Sequence, residues 1–510
     1  MTSTTHVPAA DRRADLPAIR AQTLAGLRRT LSTRDVAGAE MCAQRLHEAL
    51  PAHDRLEDNV VLVAYGGGKD SSYTLAFVRM MQLLLHDRYG STFRLRSATN
   101  RHAGMPQAVM DNIDRAYRAL RFGDDPDCEG LLVDDDEVKP FRRDEPMVPR
   151  VIQRNRLDLL MTGHRTLAEA RPTFCNSCNL SMVNSFGVAA SYGGDVDIVI
   201  TGDSPQEQRA YYLWVNRLAR SSGRPAPRAG EPSGFGSFLR STDAIAGAYF
   251  GEIFGEGSAG DVATRGVVSD VPPALRFFSI FDDTRYSSMH HWTLLTDFLA
   301  FEFDELAFSF TESDCGNPTL MAHLRGLKCE RVYGRGYGDG LEEYVTFATK
   351  LMGRKEFPDW LIAMMRERYA GPDAAERMRE VANRFAAEAY DLNEEQLICM
   401  VHSPFAGKGE RLEDYLARER PHLLPQLAEI HDLLGGTGPG DGPAAELTAA
   451  SGLDLDRLRS LYASPTVALA LGEGRGTLLG AILDGDPHKE TISTRHSPDG
   501  PVVTELLSGR

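Results

Sequence analysis

Residues 59–75, NVVLVAYGGGKDSSYTL, decide how the rest of this 510-residue chain is read. Val60, Val61, Leu62 and Val63 form an unbroken apolar run, the pattern of a parallel strand covered on both faces. Gly66, Gly67 and Gly68 follow, and Lys69-Asp70-Ser71-Ser72 open a helix predicted to run to about Leu85. A strand that feeds a glycine turn into a helix N-terminus makes an anion site. Glycine backbone can approach a ligand closely, its N–H groups point at it, and the helix dipole favours negative charge. Lys69 adds a cation there, and Ser71 and Ser72 add hydroxyl donors. The spacing matches neither the P-loop nor the G-x-G-x-x-G dinucleotide fingerprint.

The GGGKDSS stretch resembles the SGGxDS pyrophosphate-binding loop of the N-type ATP pyrophosphatases, the PP-loop superfamily. The match runs from Gly66 to Ser71, with Gly66 where that family usually has serine, so one hydroxyl contact is missing. The resemblance implies an α/β fold of the HUP type: a twisted parallel sheet of about five strands flanked by helices. It also implies cleavage of ATP between its α- and β-phosphates with Mg²⁺ bridging them. A carbonyl, amide or carboxylate oxygen is adenylated, and a nitrogen or sulfur nucleophile then displaces AMP. On this reading Gly66, Gly67, Gly68, Lys69, Ser71 and Ser72 hold the phosphates, and Asp70 orients Mg²⁺ or caps the turn.

Composition bounds the alternatives. Lys and Arg number 56 against 72 Asp and Glu, a net charge of −16, which argues against a surface dedicated to nucleic acid or anionic membrane. No apolar run reaches the roughly 18 residues of a membrane span. The first residues, MTSTTHVPAADRRADLP, lack an apolar signal segment, and a cytoplasmic protein is expected. Seven cysteines, an odd number, read as free thiols, metal ligands or catalytic groups rather than a disulfide framework.

Four regions are expected. Residues 1–57 hold two amphipathic helices, with Leu24, Leu27 and Leu31 on one stripe and Met41, Leu46 and Leu50 on another. Residues 58–220 form the ATP-binding core. There, strands near 93–98 and 130–133 follow the first, and the loop Thr99-Asn100-Arg101-His102-Ala103-Gly104-Met105 sits where open α/β sheets bind ligands. The resemblance would put adenine there, against Thr99. Residues 221–434 form an acceptor and metal-site region, helical toward its end, and its Gly-, Pro- and Ser-rich 221–270 stretch reads as a mobile loop or insertion. The linker GGTGPGDGPA then leads to a small accessory unit, 445–510.

The segment TFCNSCNLSMVNSFGVAASYGGDVDIVITGDSPQ places Cys175 and Cys178 as a CxxC just before a helix, followed by a buried strand ending in Gly202-Asp203. That order resembles PP-loop enzymes that thiolate tRNA cytidine or amidate N-acetyl sugars. By that resemblance Gly202 and Asp203 lie near the ATP phosphates, with Asp203 facing Mg²⁺ or phosphate. A cap on the following helix, which starts at Pro205, is the other reading of Asp203. Cys315 and Cys329 could complete a four-cysteine site with Cys175 and Cys178. Zinc would make it structural, whereas a [4Fe–4S] cluster on three of the cysteines resembles the tRNA-thiolating enzymes. A redox dithiol or plain buried thiols stay open. Cys42, Cys128 and Cys399 read as packing residues. The adjacent His290 and His291 read as ordinary polar positions. The glycine-rich loop around Arg335 is a surface turn or a lid that could clamp an anion.

Three functions compete. The first is adenylation and nitrogen transfer to a small-molecule, sugar or peptide acceptor. No stretch reads as a glutaminase, so ammonia would come free or from a partner protein. The second is sulfur transfer, to tRNA or a small molecule, through the cysteines or a sulfur-donor partner. The third is a nucleotide-binding module without turnover. A homodimer is compatible with each.

Overall fold

The computed structural model describes residues 15–194, 196–203, 205–224, 234–255, 258–281, 292–303, 318–354, 357–438, 442–467, 476–486 and 489–508, the side chains of 170, 172, 175, 176, 205–208, 210, 211 and 234 apart. Strand β1 (Val60–Ala64) sends alternate side chains to opposite faces, and both faces are covered. Leu62 joins a core on one side, and Val61 and Val63 join another on the other side. That is why its sequence lacks a polar face.

β1 is the centre of the sheet. It pairs in parallel with β2 (Arg94–Asn100) and, on its other edge, with β5 (Ile198–Ile200). β2 pairs in parallel with β3 (Cys128–Asp134), and β5 with the short β6 (Arg276–Phe277). The five expected parallel strands are therefore present. A sixth, β4 (Glu137–Pro140), turns back antiparallel on β3, giving the order β4-β3-β2-β1-β5-β6. The reversal is made at Asp135, whose φ of 68° is left-handed. Asp134 ends β3 inside, held by Nε and Nη2 of Arg101.

Helices cover both faces. Leu16–Thr30 and Thr33–Ala49 pack with Lys69–Tyr89 and Gln107–Ala119 on one of them, so the N-terminal helices share a core with the strands. Met41, expected on the buried stripe, is 56 % exposed; Cys42 beside it is buried and takes its place. The other face carries Pro149–Arg165 and Ala170–Ser191, then a large helical region. Cys175 and Cys178 lie within this second helix rather than before it, because it starts right after Glu169. Part of the stretch expected as a mobile loop is the 21-residue helix Gly234–Phe254, whose Phe, Leu, Ile and Tyr side chains bury against the core. Composition misled there because glycines and serines are interspersed with a helical apolar stripe.

The terminal segment is not isolated. Leu447, Leu458, Leu479 and Leu507 belong to the same core as the helices Pro318–Leu327 and Glu394–His402. Its hairpin, β7 (Lys489–Thr494) with β8 (Val503–Ser508), is stitched in by a buried carboxylate. Glu505 meets Arg325 at 3.1 Å, and Arg325 also meets Glu343 at 2.6 Å. Arg335 joins this network through Glu343 at 2.7 Å and Thr494 at 3.0 Å, so it braces the hairpin and is no lid.

A second buried network ties the first helix to the sheet. Asp125 accepts from Arg20 at 2.8 and 2.6 Å and from Arg79 at 2.8 Å, and Arg79 is fully buried. Burial alone would raise the Asp125 carboxyl; Arg20 and Arg79 outweigh it and hold it at about 2. Asp125→Ala leaves two buried guanidiniums without their shared partner. Its expected cost is about 3–5 kcal/mol in urea unfolding, and a loss within experimental error would refute the assignment.

His164 and His323 are buried neutral, their pKa values pushed down mainly by burial to about 3 and about 4. The unfolded imidazole, at about 6.5, takes its proton first, so stability is full above that pH and drains away as pH falls toward 4 and below. Comparing urea midpoints at pH 7 and pH 5 checks this. His164→Leu should flatten the fall, and an equally steep fall would remove His164 as a cause.

Candidate functional site

In the parallel part of the sheet the strand order reverses between β1 and β5, and ligands of open α/β sheets bind at the carboxyl ends of strands beside such a reversal. A cavity of about 220 Å³ lies there. Its lining comes from the glycine loop (Gly66, Gly68), from the helix start (Lys69, Asp70, Ser71) and from the end of β5 (Thr201, Gly202, Asp203). Three separated stretches of chain thus converge on one space.

Two glycines make the convergence possible. Gly67 adopts φ +76°, and a Cβ on it would lie 2.7 Å from Val109 and 2.8 Å from Ile113 of helix Gln107–Ala119. Only glycine meets both demands. A Cβ on Gly202 would lie 2.9 Å from the Cα and 3.0 Å from the backbone nitrogen of Ser71. The end of β5 therefore touches the helix start backbone to backbone.

Gly68 caps helix Lys69–Tyr89 in extended conformation. Its carbonyl accepts from the Ser72 amide at 2.9 Å and the Ser71 hydroxyl at 3.1 Å. The Ser72 hydroxyl faces Tyr65 at 3.2 Å, and both side chains are buried. Ser72 consequently braces the loop from behind, whereas Ser71 lines the cavity. Lys69 is 5 % exposed; its ammonium meets Asp70 at 2.5 Å and lies 5.9 Å from the Phe357 ring centre. Lysine and aspartate together line the cavity as a charged pair.

The end of β2 contributes Ala98, Asn100, His102 and Met105. Thr99, expected to touch a nucleotide, is fully buried and donates to the Tyr65 carbonyl at 2.7 Å. Strand alternation explains this, since its neighbours Ala98 and Asn100 line the cavity. The fourth wall is helix Ala170–Ser191, with Cys178, Asn179, Met182, Ser185 and Phe186. Their spacing is that of one helical face, a signal legible in the sequence once the helix is known to begin before the CxxC.

Of the four cysteines expected to form a site, the described side chains are those of Cys178 and Cys329. Cys178 is a free, half-buried thiol on the cavity wall. Cys329 is fully buried and donates to Glu343 at 3.7 Å, inside the network that holds the terminal hairpin. Burial, the largest influence, pushes its thiol up to about 12, so it keeps its proton at neutral pH. The Cys175 side chain and Cys315 lie outside the described residues, as do His290 and His291. Among the described residues no group of three or more His, Cys, Asp or Glu is placed to hold a metal ion. Cys42 and Cys399 are buried packing residues, as expected, and Cys128 is partly buried. No described helix is long and apolar enough to cross a membrane.

Gly202→Ala should move the β5 end off Ser71 and open the cavity, with little effect on the cores. The expected signature is faster amide exchange at residues 66–72, read by mass spectrometry, with a thermal midpoint close to wild type. Unchanged exchange there would mean that the approach is not under constraint.

Comparison with protein-family models and with curated proteins finds no match to this chain.

Proposed function

We propose that the chain is an ATP-dependent adenylating enzyme with the PP-loop type of HUP fold, forming AMP and pyrophosphate. One observation carries the reading: the glycine loop, the helix start and the Gly202-Asp203 strand end line a single cavity at the strand-order reversal. The resemblance of residues 66–71 to the pyrophosphate loop supplies the chemistry, and the convergence of residues far apart in sequence supports it.

Departure of pyrophosphate builds negative charge at the leaving oxygen, which needs preorganised positive partners rather than a covalent helper. Amides at the start of helix Lys69–Tyr89 and the Lys69 ammonium supply them. Asp70 orients that ammonium through its ion pair. Mg²⁺ is held by one or two carboxylates plus substrate phosphates in sites of this kind, and Asp70 and Asp203 on the same cavity fit that need. Bound there, it would neutralise phosphate charge. The helix wall is weakly polar and uncharged at Asn179 and Ser185, which suits an uncharged or amide-bearing acceptor. Nitrogen transfer to a small molecule, sugar or peptide is the reading that follows, the acidic net charge weighing against tRNA.

Cys178 on the cavity wall favours one second reading, sulfur transfer. That reading needs a sulfur-donor partner that loads Cys178 as a persulfide; its outer sulfur displaces AMP from the adenylated acceptor, and a second thiol then reduces the resulting disulfide to release the thiolated product. Cys329 donates to Glu343 in the network that holds the terminal hairpin and is not part of the cavity lining.

The test is product analysis with MgATP and a small-molecule extract as the acceptor source. AMP and pyrophosphate are expected, and Lys69→Ala should lower the rate about 10²-fold or more. ADP and phosphate as the products would sink the proposal. In the same assay Cys178→Ser separates the two readings: nitrogen transfer leaves the rate near wild type, and sulfur transfer abolishes it.

A further inference from the structure

The terminal hairpin leaves one strand edge open. β8 lies along one side of β7, and in an antiparallel pair every second residue turns its N–H and C=O away from the partner strand. Among the described residues, no backbone group of 489–494 bonds to anything but β8. Beside that edge runs a groove of about 460 Å³, within the size range of ligand clefts, with helix Tyr337–Arg354 as its far wall. Residues 490 to 493 line it consecutively, so residues of both strand faces border it, as they do along a strand edge. Buried Phe347 and half-buried Ile492 give it an apolar lining, and Thr346, Thr491 and Ser493 are exposed.

The charges of the groove are unbalanced. Asp339, Glu342, Glu343 and Glu490 line it against Arg335 and Lys350. Both cations are already engaged, Arg335 with Glu343 at 2.7 Å and Asp339 at 3.4 Å, and Lys350 with Glu490 at 2.7 Å. From outside the lining, Arg354 also holds Glu490 and Arg325 also holds Glu343. Glu342 is left over: it is exposed and has no ion-pair partner among the described residues. It stands one helical turn before Thr346 and two before Lys350, on the groove side of the helix. A second copy of this chain fits the groove poorly. Antiparallel pairing of β7 with its own copy about a twofold axis puts both copies of helix Tyr337–Arg354 on one face of the joined sheet, competing for the same groove.

We propose that this groove takes an extended, lysine- or arginine-bearing segment of a partner protein, which adds a strand to β7 and sets a cation against Glu342. Main-chain hydrogen bonds to the open edge supply affinity. Glu342 on one side and the Phe347 and Ile492 lining on the other select alternate side chains of the incoming strand. None of these residues lines the cavity of the glycine loop, and the proposal does not depend on the ATP reading.

Fluorescence anisotropy on the full chain with three dye-labelled hexapeptides tests it. One alternates lysine with valine, one alternates glutamate with valine, and the third is the lysine peptide with every amide N-methylated. The lysine peptide is expected to bind about fivefold or more tighter than the glutamate peptide. N-methylation removes the N–H donors that strand pairing needs, so the third peptide should not bind. Hydrogen exchange read by mass spectrometry should slow at residues 489–494 when the lysine peptide is added. Glu342→Lys alters one exposed side chain, so its thermal midpoint should match wild type, and it should abolish the preference for lysine over glutamate. A lysine peptide that fails to bind overturns the proposal. So does binding that survives N-methylation, which would be charge attraction without strand pairing. Protection that appears elsewhere than 489–494, or a lysine preference unchanged in Glu342→Lys, would place the peptide on another surface and overturn it as well.

Discussion

The backbone of Gly202 lies so close to Ser71 that no side chain fits between them. Nearly everything at the candidate site depends on that approach. β5 pairs directly with β1, so the loops leaving the two strands emerge side by side, and their helices must diverge from one crevice. A bulkier residue at 202 would push the strand end away from the helix start and separate Asp203 from Lys69. Gly67 plays the matching part on the other flank, where its left-handed conformation lets the loop tuck beneath helix Gln107–Ala119. The site is built from an absence of side chains, and its charged groups are hung around that gap.

The outer parts of the chain are held by a different physics. Asp125 gathers Arg20 and Arg79, and Glu505 gathers Arg325, in buried sites. Such clusters contribute little net stability over an apolar substitute, yet a half-removed cluster is very costly. They act as registry pins. The first sets the N-terminal helices against the sheet, and the second sets the terminal hairpin against the helical region. Both pinned segments also share the cores they touch, which is why neither behaves as an appendage.

Much of the fold is legible along the chain because its signals are local. An apolar run covered on both faces, glycines at its end and a helix opening with Lys-Asp-Ser-Ser are all written within residues 59–75. β3 and β5 carry short apolar runs of the same kind. The place of Thr99 is not legible from residue types alone, because strand alternation turns Ala98 and Asn100 to the cavity and Thr99 to the Tyr65 carbonyl. The 234–254 helix was hidden by glycine content, which scores against a helix locally while its apolar stripe is satisfied by a distant core.

By itself the sequence determined the central strand, the glycine turn, the anion-suited helix start and the acidic, seven-cysteine character of the chain. Those properties depend on residues close in sequence. Only the tertiary structure decided that Cys178 faces the glycine loop while Cys329 is sealed beneath Glu343. Only it brought His102 and Asp203 to one cavity from the ends of different strands. The physical reason is strand order. Which strand lies beside β1 is settled by how two cores close on opposite faces of the sheet, and that choice is written in no single stretch of the chain.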